Sequence, residues 1–423
     1  MQIPGGNAGG RDVRRRPPSR PARAAHGNFN PLPTFDDKTG ATARRARLVV
    51  REHGPILARY TPRVSDAIPA RLLRWFHTSR RDLPWRTPFP RDPYAVLVSE
   101  VMLQQTQVDR VRGPYLRFMD RYPSVAALAA ATDEDVALAF SGLGYYRRVR
   151  LLHAAARAIV AEGGFPESRE ALARLPGFGP YTSAAVAAFA FAGSDPPVDG
   201  NIARVTGRVR ALDLALGSPS LLRAGTEFAA SLHAQLPTPE VWEALMELGA
   251  VVCTPRSPRC PACPLAAECR AFALGRQHAF PRPRRRRARE RHAWVALWLE
   301  RADGRVLLRR VSERSLLGGM WLPPFVPLAQ GADQMVCART LAEEAGFAGV
   351  LSRAPSIKHT ITYRDITVYP FAARLPGLCV AEPRPEESWQ RPDAPQVATS
   401  SMLNKLATAC RSALTPSGGS WRT

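Results

Sequence analysis

Four cysteines in the stretch CTPRSPRCPACPLAAEC, Cys253, Cys260, Cys263 and Cys269, constrain this chain more than any other feature. Intervals of six, two and five residues let one short loop gather four thiolates around a compact centre, and prolines 255, 258, 261 and 264 already bend the backbone there. Four-cysteine sets of this kind hold zinc or an iron–sulfur cluster. Zinc ribbons usually pair two CxxC hairpins, whereas this loop has one CxxC between two lone cysteines, so the spacing favours iron–sulfur over zinc and over unconnected structural thiols.

A chain of 423 residues with 45% hydrophobic and 8% aromatic residues has room for two or three domains with real cores. Lys and Arg number 59 against 36 Asp and Glu, a formal charge of +23, which points to a polyanionic partner. Nucleic acid is expected ahead of a membrane surface, because no basic amphipathic helix is obvious; a GC-rich genome would also raise the arginine content. No apolar run is long enough to span a membrane, and the arginine-rich start lacks the apolar core of a secretory signal, so an intracellular protein, such as one of the bacterial cytoplasm or nucleoid, is expected. Cys337, Cys379 and Cys410, left over from the loop, suit a reducing compartment.

Residues 1–63 carry Arg, Pro, Gly and Ala with almost no apolar periodicity and read as a disordered basic tail, or as the product of a start assigned too far upstream. Residues 64–276 show helical periodicity throughout, for example Ile68, Leu72, Leu73 and Phe76 on one face, and form an all-α domain that includes the cysteine loop. A self-repelling run, PRPRRRRARER, falls in an expected linker at 277–291. Beyond it the period changes to that of strands: HAWVALWLE and RVLLRRV flank Asp303-Gly304 as a β-hairpin, ITVYPFAARL is a further strand, and a helix lies around Ala338 to Ala345. A small α/β domain is therefore expected at 292–382, followed by a weakly structured tail at 383–423.

Within the helical region, LPGFGPYTSAAVAAFAF places Pro176, Gly177 and Gly179 between two helical segments, a helix-hairpin-helix whose backbone N–H groups can meet a phosphate. Asp199, in PPVDGNIAR, stands where a helix cap would. Glu100, in DPYAVLVSEVMLQQTQV, shares a helix face with Val96, Leu97 and Leu103, and a carboxyl among apolar neighbours is desolvated toward its neutral form, as a general acid requires. Taken singly, Asp199 reads as an N-cap and Glu100 as a partly exposed helical side chain just as well.

In combination the motifs decide. SEVMLQQTQV, GLGYYRR, LPGFGPYT, VDGNIAR and the four-cysteine stretch occur in the order and at about the separations of the helix-hairpin-helix DNA glycosylases that carry a 4Fe-4S cluster, and among these the chain most resembles the MutY family of adenine DNA glycosylases. The resemblance covers Arg81 to Cys269 in detail and the second domain more loosely. It implies hydrolytic removal of adenine mispaired with 8-oxoguanine or guanine in double-stranded DNA, by a monomer without membrane attachment. It further implies Glu100 as the acid that protonates the base, Asp199 as the carboxylate that stabilises the sugar cation, and Tyr181 and Asn201 as groups that orient them.

By the same resemblance Arg81, Trp85, Arg86, Leu103 and Glu243 line the adenine pocket, while Gln104 and Tyr145 push into the duplex beside the lesion. Gly177 and Gly179 hold the DNA backbone, and the four cysteines hold the cluster. The endonuclease III branch carries a Schiff-base lysine where Tyr181 stands here, so strand cleavage is not expected. The second domain resembles the Nudix-like unit with which the MutY family reads 8-oxoguanine, through LLGGMWLPPF and ARTLAEEAGF. Phe325, Gly331 and Thr340 stand where a Nudix hydrolase needs its box glycine and two glutamates, so metal-dependent hydrolysis is not expected. Where the family has a Phe-Ser-His segment, this chain has Ile361, Thr362 and Tyr363, leaving Thr362 and Tyr363 as the polar contacts to the lesion.

Overall fold

The computed structural model describes residues 67–141, 143, 146–284, 287–313, 315–375 and 383–415. The basic segment 1–63 and Tyr145 lie outside the described residues. The helical half begins with α1 (Ile68–Ser79), which buries Leu72, Leu73 and Phe76 as its periodicity requires, and α2 (Pro93–Leu103). The start of α2 is fixed twice: Pro93 supplies a helical φ at its first turn, and the Asp92 carboxylate accepts from Tyr94 N (3.0 Å) and Ala95 N (3.2 Å). There follow α3 (Val108–Arg121), α4 (Val125–Ala130), α5 (Asp133–Ala139), α6 (Tyr146–Ala161), α7 (Arg169–Leu172), α8 (Pro180–Phe191), α9 (Gly200–Val209), α10 (Pro219–Gln235), α11 (Glu240–Val251) and α12 (Arg270–Ala273).

Small residues make α8 the spine of this half, since Thr182 through Ala190 are all buried and α2 lies against it. In turn α9 packs against both α10 and α11, and the fit is close. At Gly249 of α11, an added Cβ would lie 2.5 Å from the Asn201 Cβ on α9, so only glycine lets the two helices approach there.

The second half is a sheet built on β1 (Glu290–Glu300). Its partners are β2 (Val306–Arg310), β3 (Trp321–Leu322), β4 (Phe325–Pro327), β5 (Ser352–Arg353), β6 (Ile357–Ile361), β7 (Arg364–Arg374) and β8 (Glu387–Gln390), with α13 (Gln334–Glu344) between β4 and β5 and α14 (Met402–Leu414) at the end. The long parallel pairing of β1 with β7 runs from Glu290↔Arg364 to Glu300↔Arg374, while β2 and β4 pair with β1 antiparallel. Strand β1 is apolar on both faces because both are covered: Val295, Leu297 and Leu299 meet α13, and Trp294, Ala296 and Trp298 belong to the cluster that includes Met402, Leu403 and Leu406 of α14.

Two expectations are corrected. The segment 383–423 is not weakly structured over its described part, because Glu387–Gln390 pairs with β2 and α14 packs on β7. Met402, Leu403, Leu406 and Cys410 form a helical stripe that the surrounding Pro and Ser residues obscure. The expected linker at 277–291 is also tied down at both ends: Arg282 exchanges backbone hydrogen bonds with Leu214 and Leu216, and Glu290 and Arg291 already belong to β1.

Candidate active site

Three helices bring three chemically distinct groups to one cavity of about 280 Å³ in the helical half. From α2, Glu100 projects beside Leu103, with Val96 and Leu97 on the same helix face. Burial pushes its carboxyl up to about 7; the hydroxyl of Tyr181, donating to it, and the Arg91 guanidinium work the other way, and the Asp199 and Glu243 charges add to the rise. Tyr181, in the first turn of α8, has its own hydroxyl raised well above the usual phenol range by burial and by the two carboxylates, so it stays a neutral donor.

Asp199 is both things its sequence context allowed. It caps α9, accepting from Asn201 N (2.9 Å), Ile202 N (2.8 Å) and Asn201 Nδ2 (2.6 Å), and it lines the same cavity as Glu100. Burial raises its carboxyl as well, but these three donors and Arg204 pull against the rise. Every one of those partners gives a hydrogen and none takes one, which favours the carboxylate form of Asp199, whereas Glu100 has the Tyr181 hydroxyl as its side-chain donor. Burial thus raises both acids in one cavity, but Asp199 has more hydrogen-bond donors to support its charge.

A wall of paired charges lines the same cavity. Arg81 grips Glu247 with two hydrogen bonds (2.8 and 2.7 Å), Arg86 bridges Glu247 (2.7 Å) and Glu243 (2.9 Å), and Arg91 grips Glu243 (3.2 and 2.8 Å). Burial would raise the Glu247 carboxyl, yet the hydrogen bonds from Arg81 and Arg86 win and put it at about 2. Arg81, Arg86 and Glu243 are therefore pocket residues rather than surface charges. Arg91 and Glu247 were not singled out from sequence; the usable signal was that Glu243 and Glu247 stand four apart on one face of α11. Trp85 is buried in the lining, edge-on to Tyr115. Gln104 ends α2 at the cavity mouth, its Nε2 3.5 Å from Thr182 Oγ1.

The two hairpin glycines differ in kind. Gly177 has φ +79° and a Cβ there would meet Leu151 at 2.8 Å, so the turn needs glycine on both counts. Gly179 has an ordinary φ and open space around it. As the cap of α8 it has no side chain to occupy the first N–H groups of the helix, which are left for an anion.

All four cysteines of the loop line one small cavity with Val205, Leu248 and Leu265. No three such side chains among the described residues lie close enough around one point to hold a single metal ion. Four thiol donors around one apolar cavity are a set that fits a 4Fe-4S cluster. The loop is also clamped to α9: Arg208 donates to Cys253 Sγ (3.3 Å), Thr254 O (2.7 Å) and Pro255 O (3.0 Å), and Arg204 joins Cys253 O (2.8 Å) to Asn201 Oδ1 (2.7 Å). Arg259, exposed on the loop, has one donor on Val251 O at 2.7 Å.

Thr362 and Tyr363 are not part of this cavity. They form the two-residue turn between β6 and β7, where Ile361 pairs with Arg364. Thr362 has φ +56° and its hydroxyl donates to Ile361 O at 2.7 Å, and the Tyr363 ring lies between the guanidinium groups of Arg287 (4.0 Å) and Arg364 (4.4 Å).

Comparison with known proteins adds a family. Residues 98–218 match the HhH-GPD superfamily of base excision DNA repair proteins. The chain is 44% identical over 209 residues to an adenine DNA glycosylase of Mycolicibacterium smegmatis, covering 49% of this chain and 70% of that protein. It is 34% identical over 301 residues to one from Arabidopsis thaliana (62% of this chain, 48% of that protein) and 43% identical over 209 residues to the human one (47% and 38%). The chain thus spans about half or less of the plant and human relatives it matches.

Proposed function

Since the chain belongs to the adenine DNA glycosylase family, we propose that it flips adenine out of duplex DNA and hydrolyses its N-glycosidic bond without cutting the strand. The observation that carries this reading is the pair of buried acids in one cavity, one of them supported by three hydrogen-bond donors. Glu100, raised to about 7 by burial, keeps a large neutral fraction near pH 7 and can give its proton to the departing base. Asp199, held by three hydrogen-bond donors, offers negative charge to the sugar as it becomes cationic. Tyr181 hydrogen-bonds Glu100 and, with no lysine in its place, gives no Schiff base through which a strand could be cleaved.

The Arg81–Glu247–Arg86–Glu243–Arg91 wall leaves the pocket with fixed donors and acceptors and little freedom to rearrange, which suits recognition of a polar base edge. The uncapped start of α8 suits a phosphate, and Gln104 at the mouth suits a wedge beside the extruded base. Cys253, Cys260, Cys263 and Cys269 would hold the 4Fe-4S cluster, which when bound supplies covalent cross-links to the loop rather than a reacting centre. Arg204 and Arg208 then carry that rigidity to Asn201 and the Asp199 cap.

The sheet half, as a Nudix-like domain, would read 8-oxoguanine opposite the adenine through the β6–β7 turn. The Thr362 hydroxyl, spent as a donor on Ile361 O, faces outward as an acceptor. An acceptor favours the protonated N7 of 8-oxoguanine over the bare N7 of guanine. Metal-dependent hydrolysis in this half is opposed by Arg309, whose guanidinium sits on Glu344 (3.1 Å) and Glu387 (2.9 Å) where a cation would otherwise be needed.

Single-turnover assays on duplexes carrying adenine opposite 8-oxoguanine, adenine opposite guanine, and an oxidised pyrimidine test the proposal. Alkali-dependent cleavage of the first, slower release from the second and none from the third are expected; alkali-independent cutting of the third would overturn it.

A further inference from the structure

Arg91, Arg204 and Arg208 are the arginines almost wholly buried among the described residues. Arg91 has the Glu243 carboxylate against it at 2.8 Å, as a buried cation ordinarily requires. The other two stand one turn apart on α9, and neither makes an ion pair with a described Asp or Glu. Asp199 acts on Arg204 across Asn201, whose Oδ1 accepts from the guanidinium at 2.7 Å, so part of that charge is offset. Arg208, only 3% exposed, has no such carboxylate.

Its contacts are with neutral backbone and one cysteine. Nε donates to Phe280 O (3.1 Å), Nη1 to Cys253 O (3.2 Å), Thr254 O (2.7 Å) and Cys253 Sγ (3.3 Å), and Nη2 to Pro255 O (3.0 Å). Carbonyl oxygens satisfy these N–H groups without cancelling the charge, and Arg204 repels it from one turn away. Beside it lies the cavity of the four cysteines. Arg208 is the one charged side chain among the described residues of that lining, and Val205, Leu248 and Leu265 keep its surroundings apolar. When four thiolates hold a 4Fe-4S core their charge exceeds that of the core, so the bound unit is a net anion and grows more negative on taking up an electron.

We propose that Arg208 is the built-in counter-ion of the cluster: its guanidinium balances the anionic iron–sulfur unit at Cys253, and that unit supplies the negative charge that no described carboxylate gives Arg208. This role rests on the four cysteines holding a 4Fe-4S cluster, and it makes the charge of Arg208, beyond its hydrogen bonds, set how fully the loop loads and at what potential the cluster is reduced. A positive charge at hydrogen-bond distance from a ligating sulfur favours the reduced, more negative form, and so raises the reduction potential. Arg204 differs in reaching Cys253 at its carbonyl oxygen rather than its sulfur.

The test compares the full chain as isolated with Arg208→Lys and Arg208→Met. Both variants lose the forked hydrogen bonds and keep a long side chain; they differ in charge. The readouts are iron and sulfide per chain and the midpoint potential of the cluster, titrated with dithionite through mediator dyes. Arg208→Met lowers the midpoint, so that at the wild-type midpoint the ratio of reduced to oxidised cluster falls about tenfold or more. Arg208→Lys stays closer to the wild type than to Arg208→Met. Where Arg208→Met takes up no cluster, a loaded Arg208→Lys supports the proposal in the same way. Two variants that behave alike, or a Lys variant further from the wild type than the Met variant, leave Arg208 a hydrogen-bonding role only and overturn it. A wild-type chain without iron and sulfide overturns it as well, by removing the cluster itself, and that outcome is visible before any variant is made.

Discussion

The helical cavity and the β6–β7 turn are asked to do related jobs, and they are built in opposite ways. In the helical half the pocket wall and the Asp199 cap are held by several partners each: Glu247 has two arginines, Asn201 is gripped by Asp199 and Arg204, and α9 is pressed against Gly249. At the turn, Thr362 is exposed, a β-branched side chain at positive φ, and Tyr363 is half-buried and supported by two cation–π contacts. The first arrangement fixes charge states, which chemistry needs. The second fixes only a hydrogen-bond direction, and a different residue can supply that. Substitutions should therefore have steep, coupled effects in the cavity and shallow, separable ones at the turn.

The largest effect is expected from Glu100→Gln. Base release should fall by about 10²–10⁴, the usual contribution of a general acid, while binding of the mispaired duplex persists; unchanged turnover would remove Glu100 from the chemistry. A stability effect of definite sign accompanies it. The Glu100 carboxyl is raised from 4.5 to about 7 on folding, so its protonated form is favoured in the folded chain. That advantage is whole below pH 4.5 and is lost as pH rises through 7, a swing of roughly 3 kcal/mol. The amide of the variant cannot ionise. Thermal unfolding should show the variant gaining on the wild type between pH 5 and pH 8, and no such gain would mean that Glu100 is not desolvated.

Next is Glu247→Gln, which leaves Arg81 and Arg86 facing each other in a buried wall; a loss of about 3–5 kcal/mol is expected in denaturant unfolding. Gly249→Ala should cost about 1–3 kcal/mol by overpacking and should also slow base release, because the clash falls on Asn201. If stability drops and the rate does not, the α9–α11 contact does not position the acids. Smallest is Thr362→Gly, within about 1 kcal/mol of wild type in stability. It should leave adenine release at saturating duplex intact and reduce the preference for 8-oxoguanine over guanine several-fold. A collapse of the rate itself would erase the contrast drawn between the two regions.

How much of this was legible in sequence follows the same divide. Glu100 and Asp199 could be found because ordered motifs singled them out, while the apolar face of Val96, Leu97 and Leu103 and the cap position before α9 showed only that each had a place in a helix. Arg91, in the loop before α2, and Glu247, on α11, escaped because a lone charge reads as solvated until its long-range partner is known, and their partners lie 152 and 166 residues away. Strand β8 and helix α14 were missed for a related reason. Pro- and Ser-rich flanks suggested a loose tail, whereas pairing with β2 and burial of Met402, Leu403 and Leu406 depend on a sheet face that local pattern does not reveal. Tyr145, read as a wedge residue, lies outside the described residues.

The most direct test is the pH dependence of single-turnover adenine release from a duplex carrying adenine opposite 8-oxoguanine, between pH 5 and pH 9. With Glu100 acting from its neutral form, the rate should fall as pH rises through about 7, approaching tenfold per pH unit, with strand breaks appearing only after alkali. A rate that stays level from pH 6 to pH 9, in a chain that binds the duplex normally, would contradict a proton held by Glu100 as the source of catalysis.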